Sequence, residues 1–421
     1  MIPPYILKQV IGDQLSRFSR QDPGIPRRID IQRYQNRKRI VVITGVRRCG
    51  KSTLLKQLSF GSQSFLYLNA DDDRLIGATS SDLGSLLLIW EEIMPGVRTV
   101  FIDEIQNIPG WERVIRRMHD EGYRIILTGS NAQMLSAELG THLTGRYVRI
   151  ELFPFAFDEF CRFFNVHVSP LDIMTTEGEA AVIRHFSRYI EEGGFPEFLC
   201  DPDTEILRRT FDDILFRDVI GRYGIREVMA FRQLCRYLYA NMTREASFAS
   251  LASIVQMKSS LSIKNWIGYL EDAYLIKGLC PYEYSMKKQL SRNRKYYGID
   301  TGMRSAVSFR FSEDSGLLLE NVVCTELRRQ GSEIYWWKGH YECDFIVVDR
   351  GQVVKAIQVC WYLSDENRER EIGGVMEVLN RFSGCEGFIL TLHQEEMTFG
   401  GIKILPAWKW ILQGSEGGTI E

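Results

Sequence analysis

The 421-residue sequence lacks several features that would assign it to a special class of protein. No apolar run approaches the ~18 residues that a membrane-spanning helix needs, and the amino terminus has no apolar stretch typical of a signal peptide. The nine cysteines are odd in number and scattered without a C-x-x-C spacing, which argues against a disulfide framework or a zinc site. We therefore expect a cytoplasmic protein with reduced thiols and no membrane partner.

The sequence also has no net basic charge. Its 52 lysine and arginine residues nearly balance 54 aspartate and glutamate residues, so the formal charge is −2. A chain-wide electrostatic signal for nucleic acid is therefore missing, although a local basic face stays compatible with this balance. The chain is 45% hydrophobic and 25% charged, which is typical of a globular protein. Its length favours about three domains.

One glycine-rich stretch gives the strongest functional signal in the chain. The apolar residues 40–43 are followed by the pattern G-x-x-x-x-G-K-S, and a helical pattern begins directly after it. Glycines in this context let consecutive backbone N–H groups turn towards a polyphosphate, and the helix presents its positive amino-terminal end to the same anion. Lys51 would contact the β- and γ-phosphates, and the Ser52 hydroxyl would bind Mg²⁺. The predicted phosphate-binding residues are Gly45, Val46, Arg47, Arg48, Cys49, Gly50, Lys51, Ser52 and Thr53.

A second motif, on the third predicted strand, extends this site. The apolar residues 99–102 are followed by two carboxylates, Asp103 and Glu104. A carboxylate at the carboxyl end of a strand beside the phosphate loop can hold Mg²⁺ through water, which is the role predicted for Asp103. Glu104 is the candidate that orients and polarises the attacking water. The two motifs together predict hydrolysis in addition to phosphate binding.

Two further side chains are candidates for contacts with the γ-phosphate. A fourth strand, at residues 124–127, leads into small polar residues, of which Asn131 or Ser130 could sense the γ-phosphate. Helix capping would also explain both residues. Arg146 precedes a fifth strand at residues 147–150, and opposite the nucleotide of a neighbouring subunit it would act as an arginine finger. A surface or ion-paired arginine is the alternative.

Five predicted strands alternate with helices, which indicates a parallel α/β sheet with the nucleotide at its carboxyl edge. With the motifs G-V-R-R-C-G-K-S, F-I-D-E-I-Q, L-T-G-S-N and L-T-G-R, this part of the sequence resembles the prokaryotic AAA-type ATPase family. The resemblance covers roughly residues 20–240 and includes the motif at residues 190–197. It implies a P-loop AAA-type parallel sheet of order 5-1-4-3-2 with a helical lid. It also implies ATP and Mg²⁺ as cofactors, with ATP hydrolysis or an ATP-gated switch.

The next segment has the pattern of a winged-helix-like module. Three short helical patterns are followed by an apolar strand, and Lys258, Lys264 and Asn265 would lie near the start of the recognition helix. Few basic residues lie there, and winged helices also serve as protein-interaction modules. DNA and a protein partner therefore both stay open for this module.

The last third of the chain is strand-rich and resembles the domain of unknown function often joined to these ATPases. That domain looks related to the PD-(D/E)xK nuclease fold, and the resemblance rests on Glu320, Asp344 and residues 358–360. A nuclease of this kind needs a second carboxylate and a lysine, yet Gln358 and Cys360 stand in those positions. The resemblance thus implies an α/β nuclease-like scaffold that binds DNA or protein without cutting.

We predict four parts, namely an AAA-type ATPase core at 1–155, a helical lid at 156–227, a winged-helix-like module at 228–285 and a nuclease-like domain at 286–421. The predicted function is that of a Mg²⁺-dependent ATPase acting as a nucleotide-driven switch on a DNA or protein partner, with an oligomer as an open option. Two alternatives are an ATP-regulated metal-dependent DNA nuclease and a non-catalytic, nucleotide-gated DNA-binding regulator.

Overall fold

The structure is a computed structural model that describes residues 2–35, 37–129, 143, 145–308 and 315–416. The chain forms two compact units, Met1–Phe153 and Pro154–Glu421. Within the described ranges, no helix is both long enough and apolar enough to cross a membrane.

The first unit is a five-stranded sheet with helices packed against it. Its elements are α1 (Pro4–Arg20), α2 (Ile31–Gln35), β1 (Ile40–Gly45), α3 (Lys51–Ser59), β2 (Leu66–Asn69), α4 (Ser80–Ile93), β3 (Thr99–Asp103), α5 (Trp111–Asp120), β4 (Arg124–Gly129) and β5 (Tyr147–Leu152), with 3₁₀ turns at Asp73–Leu75 and Ile105–Asn107. All neighbouring strands are parallel, and their order is β2-β3-β4-β1-β5. Read from the other edge, this order confirms the predicted 5-1-4-3-2 sheet.

The strands of this sheet are apolar because helices cover both faces of the sheet. Every residue of β1 is buried, as are five of the six residues of β4, and such continuous apolar runs are typical of parallel sheets. The helices contribute one apolar face each. In α1 the buried positions repeat at helical spacing and are Leu7, Val10, Ile11, Gln14 and Phe18.

Helix α1 is held firmly against β2. The Gln14 side chain donates to the carbonyl oxygen of Asn69 over 3.0 Å, and the Asn69 N–H donates back to Gln14 over 2.8 Å. The Phe18 ring stacks on Tyr67 with the ring centroids 3.9 Å apart. These contacts make α1 an integral part of the first unit although it precedes the sheet in the chain.

The second unit contains two sheets and the helices around them. Its helices are α6 (Phe157–Phe163), α7 (Pro170–Ile173), α8 (Thr176–Glu192), α9 (Pro196–Cys200), α10 (Thr204–Asp213, continued by a π-helical stretch at Ile214–Ile220 and a turn at Gly221–Tyr223), α11 (Val228–Ala240), α12 (Phe248–Ile254), α13 (Ser260–Asp272), α14 (Met286–Ser291), α15 (Thr301–Val307), α16 (Ser315–Arg329), α17 (Asp365–Arg381) and α18 (Ala407–Glu416). Its strands are β6 (Glu245–Ala246), β7 (Ile276–Leu279), β8 (Arg294–Gly298), β9 (Glu333–Lys338), β10 (Glu342–Asp349), β11 (Gln352–Val359), β12 (Glu386–Thr391), β13 (Glu396–Phe399) and β14 (Ile402–Pro406).

The smaller sheet has the order β6-β8-β7, with β8 antiparallel to both neighbours. Helices α11, α12 and α13 are the three short helices that the periodicity predicted before β7. The register aligns Ile276 of β7 with Gly298 of β8. This pairing crosses the predicted boundary between residues 285 and 286, because β8 completes a sheet that begins before that boundary.

The larger sheet has six strands in the order β13-β14-β12-β11-β10-β9. Strands β9, β10 and β11 form an antiparallel meander, whereas β11, β12 and β14 are parallel to one another. Helix α17 connects the parallel strands β11 and β12, and its buried Val375 and Val378 pack in one cluster with Ile346 and Ile389 of the sheet. An α/β domain at the carboxyl end of the chain is thereby confirmed.

Candidate nucleotide-binding site

The turn between β1 and α3 has the backbone of a phosphate-binding loop. Gly45 and Gly50 have φ angles of 150° and 99°, where L side chains are strained. A Cβ added at Gly45 would lie 2.1 Å from the carbonyl oxygen of Leu152, so a side chain would collide with the backbone of β5. The glycines of the motif are therefore required by the geometry of the loop itself.

A buried arginine from the segment after α1 braces this loop. Arg27 is 5% exposed, and its guanidinium donates to the carbonyl oxygen of Cys49 over 2.8 Å and to that of Phe153 over 2.6 Å. It thus ties the phosphate loop to the residue that follows β5. No motif in the sequence marks this contact, because the three residues are far apart in the chain.

Lys51 lies at the first position of α3 with its ammonium group inside the loop. Its Nζ donates to the carbonyl oxygens of Gly45 and Val46 over 3.2 and 3.1 Å, and it lies 4.0 Å from a carboxylate oxygen of Glu104. The side chain is 4% exposed. These contacts hold the ammonium group inside the loop, where a bound phosphate would meet it.

The pair predicted to hold Mg²⁺ is brought together at the carboxyl edge of the sheet. The Ser52 hydroxyl bonds to the Asp103 carboxylate, which is 3% exposed. Burial and the neighbouring Glu104 charge raise the pKa of Asp103, while hydrogen bonds from Ser52 and Thr128 oppose the rise. A hydroxyl and a carboxylate are the hard oxygen ligands that Mg²⁺ prefers, and it takes its remaining ligands from water and phosphates. The residues present therefore fit this ion.

The described ranges contain no group of three or more His, Cys, Asp or Glu side chains arranged to hold a metal ion.

Thr128, near the end of β4, connects the two carboxylates. Its hydroxyl donates to Asp103 and accepts the backbone N–H of Glu104 over 2.9 Å. Glu104 has a φ of 52°, and the Gln106 amide donates to its carboxylate. Thr128 belongs to the L-T-G-S-N motif, but the sequence did not assign it a contact with either carboxylate.

Arg146 lies far from the phosphate loop of its own chain. Its carbonyl oxygen accepts the N–H of Ile40, which starts β1, whereas the loop follows the other end of that strand. A six-residue strand spans about 20 Å. The Arg146 guanidinium donates to Asp120 over 2.9 Å. A role at a neighbouring subunit's nucleotide stays a prediction. Asn131 and Ser130 lie outside the described residues.

The second unit contains a separate buried polar cluster that includes the residues on which the nuclease resemblance rests. Lys295 of β8 is 4% exposed, and its Nζ lies 3.1 Å from Asp344, 3.4 Å from Glu320 and 2.6 Å from Glu342. The Gln358 amide accepts the Asp344 N–H over 3.0 Å. The structure thus brings Glu320, Asp344 and Gln358 together, and it adds a lysine that no spacing in the sequence indicates.

Electrostatic effects are strong in this cluster. Burial and the Asp344 charge raise the pKa of Glu320 to about 7, although Lys295 acts in the opposite direction. Burial by itself would lower the pKa of Lys295, but the surrounding carboxylates outweigh it and hold that pKa well above its usual range. The ammonium group is therefore charged at neutral pH.

Comparison with known families agrees with the geometry of the first unit. Residues 37–161 match a family described as an AAA domain, and residues 183–314 match a domain of unknown function, DUF8612. The first of these matches contains the phosphate loop and the Asp103–Glu104 pair. The first unit thus defines the class of the protein as one with an AAA-type P-loop nucleotide-binding fold.

The chain also has relatives that match it over most of its length. It is 34% identical over 431 residues to the uncharacterized protein MJ1544 of Methanocaldococcus jannaschii, and the match covers 97% of this chain and 95% of that protein. The chain belongs to the same family as this archaeal protein. An uncharacterized protein of Haemophilus influenzae is 28% identical over 89% of this chain and 94% of its own length.

Solved structures show a weaker likeness. AMPPCP-bound DnaA from Aquifex aeolicus is 12% identical with a TM-score of 0.25, over 57% of this chain and 84% of that one. A STAND-class signal-transduction ATPase with a tetratricopeptide repeat sensor, from Pyrococcus horikoshii, is 13% identical with a TM-score of 0.27, over 73% of this chain and 47% of that one. At these scores the likeness carries no weight for function.

Proposed function

We propose that the chain binds ATP with Mg²⁺ at the phosphate loop of the first unit and hydrolyses it, and that the nucleotide state switches its action on a DNA or protein partner. One observation carries this proposal. Lys51, the bonded pair Ser52 and Asp103, and the partly exposed Glu104 all meet at the carboxyl edge of a parallel sheet, where a polyphosphate would bind.

Each residue would have a separate task. The backbone N–H groups of the loop and Lys51 would hold the β- and γ-phosphates, while Ser52 and Asp103 would hold Mg²⁺, the latter through water. When bound, the ion neutralises charge on the phosphates. Glu104 would orient the attacking water and accept its proton, and Thr128 would keep both carboxylates in place.

Nucleotide binding is tested first with Lys51→Ala in titration calorimetry. Removing the buried ammonium group leaves the phosphates without their principal cation in the loop, so we expect no measurable ATP binding. Lys8→Ala is a matched control, because Lys8 forms an exposed ion pair with Glu92 on the outside of α1. ATP affinity that survives in Lys51→Ala would sink the proposal.

Hydrolysis is tested with Glu104→Gln. The amide preserves the shape of the side chain but cannot accept a proton, so ATP affinity should stay near that of the parent while phosphate release slows about a hundredfold or more. A turnover rate equal to that of the parent would refute the role of Glu104 as base. It would leave the nucleotide-gated regulator as the better reading.

We further propose that helices α11 to α13 and the sheet β6-β8-β7 form a winged-helix-like module that contacts DNA. The order helix, strand, helix, helix, strand from α11 to β7 supports this, and β8 completes the sheet after the short helix α14. Lys258, Lys264 and Asn265 are exposed near the start of α13. Binding to duplex DNA should weaken steeply with salt and weaken further in Lys258→Gln with Lys264→Gln. Absence of DNA binding would favour a protein partner.

Lys295 supplies the lysine that the nuclease alternative lacked in the sequence, but its ammonium group occupies the position where a metal ion would bind the carboxylates. The Lys295 ammonium group touches Asp344 and Glu320 directly, and the Gln358 amide is occupied by the Asp344 N–H and by Glu371. We therefore favour a scaffold that does not cut. Plasmid nicking with Mg²⁺ or Mn²⁺ that persists in Lys51→Ala and disappears in Asp344→Asn would establish the nuclease instead.

A further inference from the structure

A cleft of about 940 Å³ opens beside the predicted magnesium ligands of the first unit. Ser52 and Asp103 line its inner end, and the face of α1 that carries Ser16, Arg17 and Arg20 lines its outer wall. Arg20 lies on the same side of the helix as Ser16 and Arg17, because it follows them by four and three residues. The opposite side of α1 is the one that packs into the core.

The two arginines are the cations that line this cleft. Among the residues that the structure describes, neither Arg17 nor Arg20 has a side-chain hydrogen bond or an ion pair, and both are exposed to the cleft. Arg74, by contrast, reaches Asp72 and Asp13 on the same side of the unit, with 2.9 and 2.7 Å separations. The arginines of the cleft therefore keep all of their donors for a ligand.

The wall that carries these arginines is held in place. Gln14 bonds to both backbone groups of Asn69, and Lys56 of α3 donates to the carbonyl oxygen of Ser19 over 3.2 Å. The Phe18 ring, between Arg17 and Ser19, stacks on Tyr67. An anion bound in the cleft would thus meet donors on a rigid support, which lowers the entropic cost of ordering them.

The position of the cleft specifies which part of a nucleotide would meet the arginines. Ser52 and Asp103 would hold Mg²⁺ beside the terminal phosphates of a bound triphosphate, so the cleft that these two residues line lies at the terminal end of the triphosphate. The carboxylates of Asp103 and Asp13 line the cleft and repel an anion there, and the two arginines of the α1 wall offset that repulsion. A guanidinium fork matches the oxygens of a phosphate group.

We propose that Arg17 and Arg20 form a γ-phosphate subsite contributed by the amino-terminal helix of the same chain. This inference rests on the proposed binding of ATP at the phosphate loop and extends it to selectivity for ATP over ADP. ADP would leave the subsite empty, because it lacks the γ-phosphate that the two arginines would contact. The state of the nucleotide is thereby reported directly to α1.

The experiment compares the affinities for ADP and for a non-hydrolysable ATP analogue, both with Mg²⁺, by titration calorimetry. We expect Arg17→Gln and Arg20→Gln to weaken binding of the analogue about tenfold each, the loss of one charge-assisted hydrogen bond. The affinity for ADP should change by less than about twofold, because ADP would not contact the arginines. Lys8→Gln is the matched control, since it removes a cation from α1 outside the cleft, and melting curves show that each variant is folded.

Each other outcome overturns the subsite. Equal losses for ADP and for the analogue would mean that the arginines support the loop in general. Unchanged affinities would mean that they do not contact nucleotide, and the proposed function would still stand if Lys51→Ala abolishes binding. Loss of duplex or single-stranded DNA binding with intact analogue affinity would assign the cleft to nucleic-acid phosphates. A parent protein that binds neither nucleotide would remove both proposals.

Discussion

Thr128 shows at the scale of a single residue how this site is organised. One hydroxyl donates to the predicted magnesium ligand Asp103 and accepts the backbone N–H of the predicted base Glu104. The side chain is fully buried, so water cannot replace either bond if the hydroxyl is lost. Because Glu104 has a left-handed backbone conformation, its N–H bond to Thr128 also helps to hold a strained turn.

The first prediction concerns Thr128→Val, which keeps the shape and removes the hydroxyl. The partly buried Glu104 N–H is then left without its Thr128 partner, and we expect the free energy of unfolding to fall by about 1–2 kcal/mol. The rate of phosphate release should fall more than the affinity for ATP, because the orientation of both carboxylates is lost. Urea unfolding and steady-state turnover measure the two effects.

Thr128→Ser is the control, since it retains the hydroxyl and should preserve most of the turnover. A valine variant with the turnover of the parent would show that Thr128 does not position the carboxylates. A valine variant that unfolds at the same urea concentration as the parent would contradict the expected cost in stability.

Residues joined by short motifs could be predicted from the sequence, and residues joined by the fold could not. The phosphate loop and the Asp103–Glu104 pair follow a fixed spacing beside predicted strands. Arg27 and Lys295 instead reach their partners across the structure, between segments with no common spacing, and the partners of Thr128 lie on another strand although Thr128 itself belongs to a motif. Their side chains are ordinary in sequence and acquire a role only through burial and contact.

At the scale of elements, the buried cluster of the second unit joins three of them. Strand β8 supplies Lys295, helix α16 supplies Glu320, and strand β10 supplies Glu342 and Asp344. The Tyr297 hydroxyl also donates to Glu320 over 2.8 Å. Breaking such a buried ion pair by removing one partner is costly, so the cluster fixes how these elements pack together.

The second prediction concerns the pH dependence of this cluster. The pKa of Glu320 is about 7 in the folded chain and close to an ordinary glutamate value, about 4.3, in the unfolded one. The folded state therefore binds the proton more tightly. The resulting stabilisation is complete below the unfolded pKa and is lost as the pH rises through about 7.

Glu320→Gln removes this titration and keeps a hydrogen-bonding side chain. We expect the melting temperature of the variant, relative to the parent, to rise between pH 5 and pH 8. Glu366→Gln, at an exposed position of α17, is the control and should follow the parent at each pH. A constant difference between Glu320→Gln and the parent would contradict the shifted pKa.

The elements themselves were largely accessible to prediction. Alternating apolar strands and helices indicated the five-stranded sheet, and the AAA resemblance implied its order, which the structure confirms. The pairing of β8 with β7 was not accessible, because a strand of five residues shows nothing of its partner. The same limit applies to the π-helical stretch at Ile214–Ile220, which continues an apolar helical pattern without a break in the sequence.

At the scale of the whole molecule, the position of Arg146 bears on whether one chain can be active by itself or needs an assembly. It lies at the amino edge of the sheet in an ion pair with Asp120, at the opposite end of β1 from the phosphate loop. An arginine finger at this position would therefore complete only the site of another copy. If the finger is genuine, turnover requires an oligomer.

The third prediction follows from this geometry. Arg146→Ala keeps an intact phosphate loop, and Lys51→Ala keeps an intact arginine, so each variant should be inactive when measured by itself. Mixed subunits should recover part of the turnover, because an intact loop then faces an intact arginine. Light scattering measures whether mixed assemblies form. Full turnover by Arg146→Ala as a monomer would exclude the finger.

Helix α1 affects how the first unit can be isolated. The AAA match begins at residue 37, so a fragment cut to that match would omit α1 and the wall of the cleft. The cut would uncover the Tyr67 ring and deprive Asn69 of its bonds to Gln14. If such a fragment aggregates or prefers ADP, the cause would be the loss of α1 and not a property of the intact protein. Purification tags are therefore best placed at the carboxyl terminus.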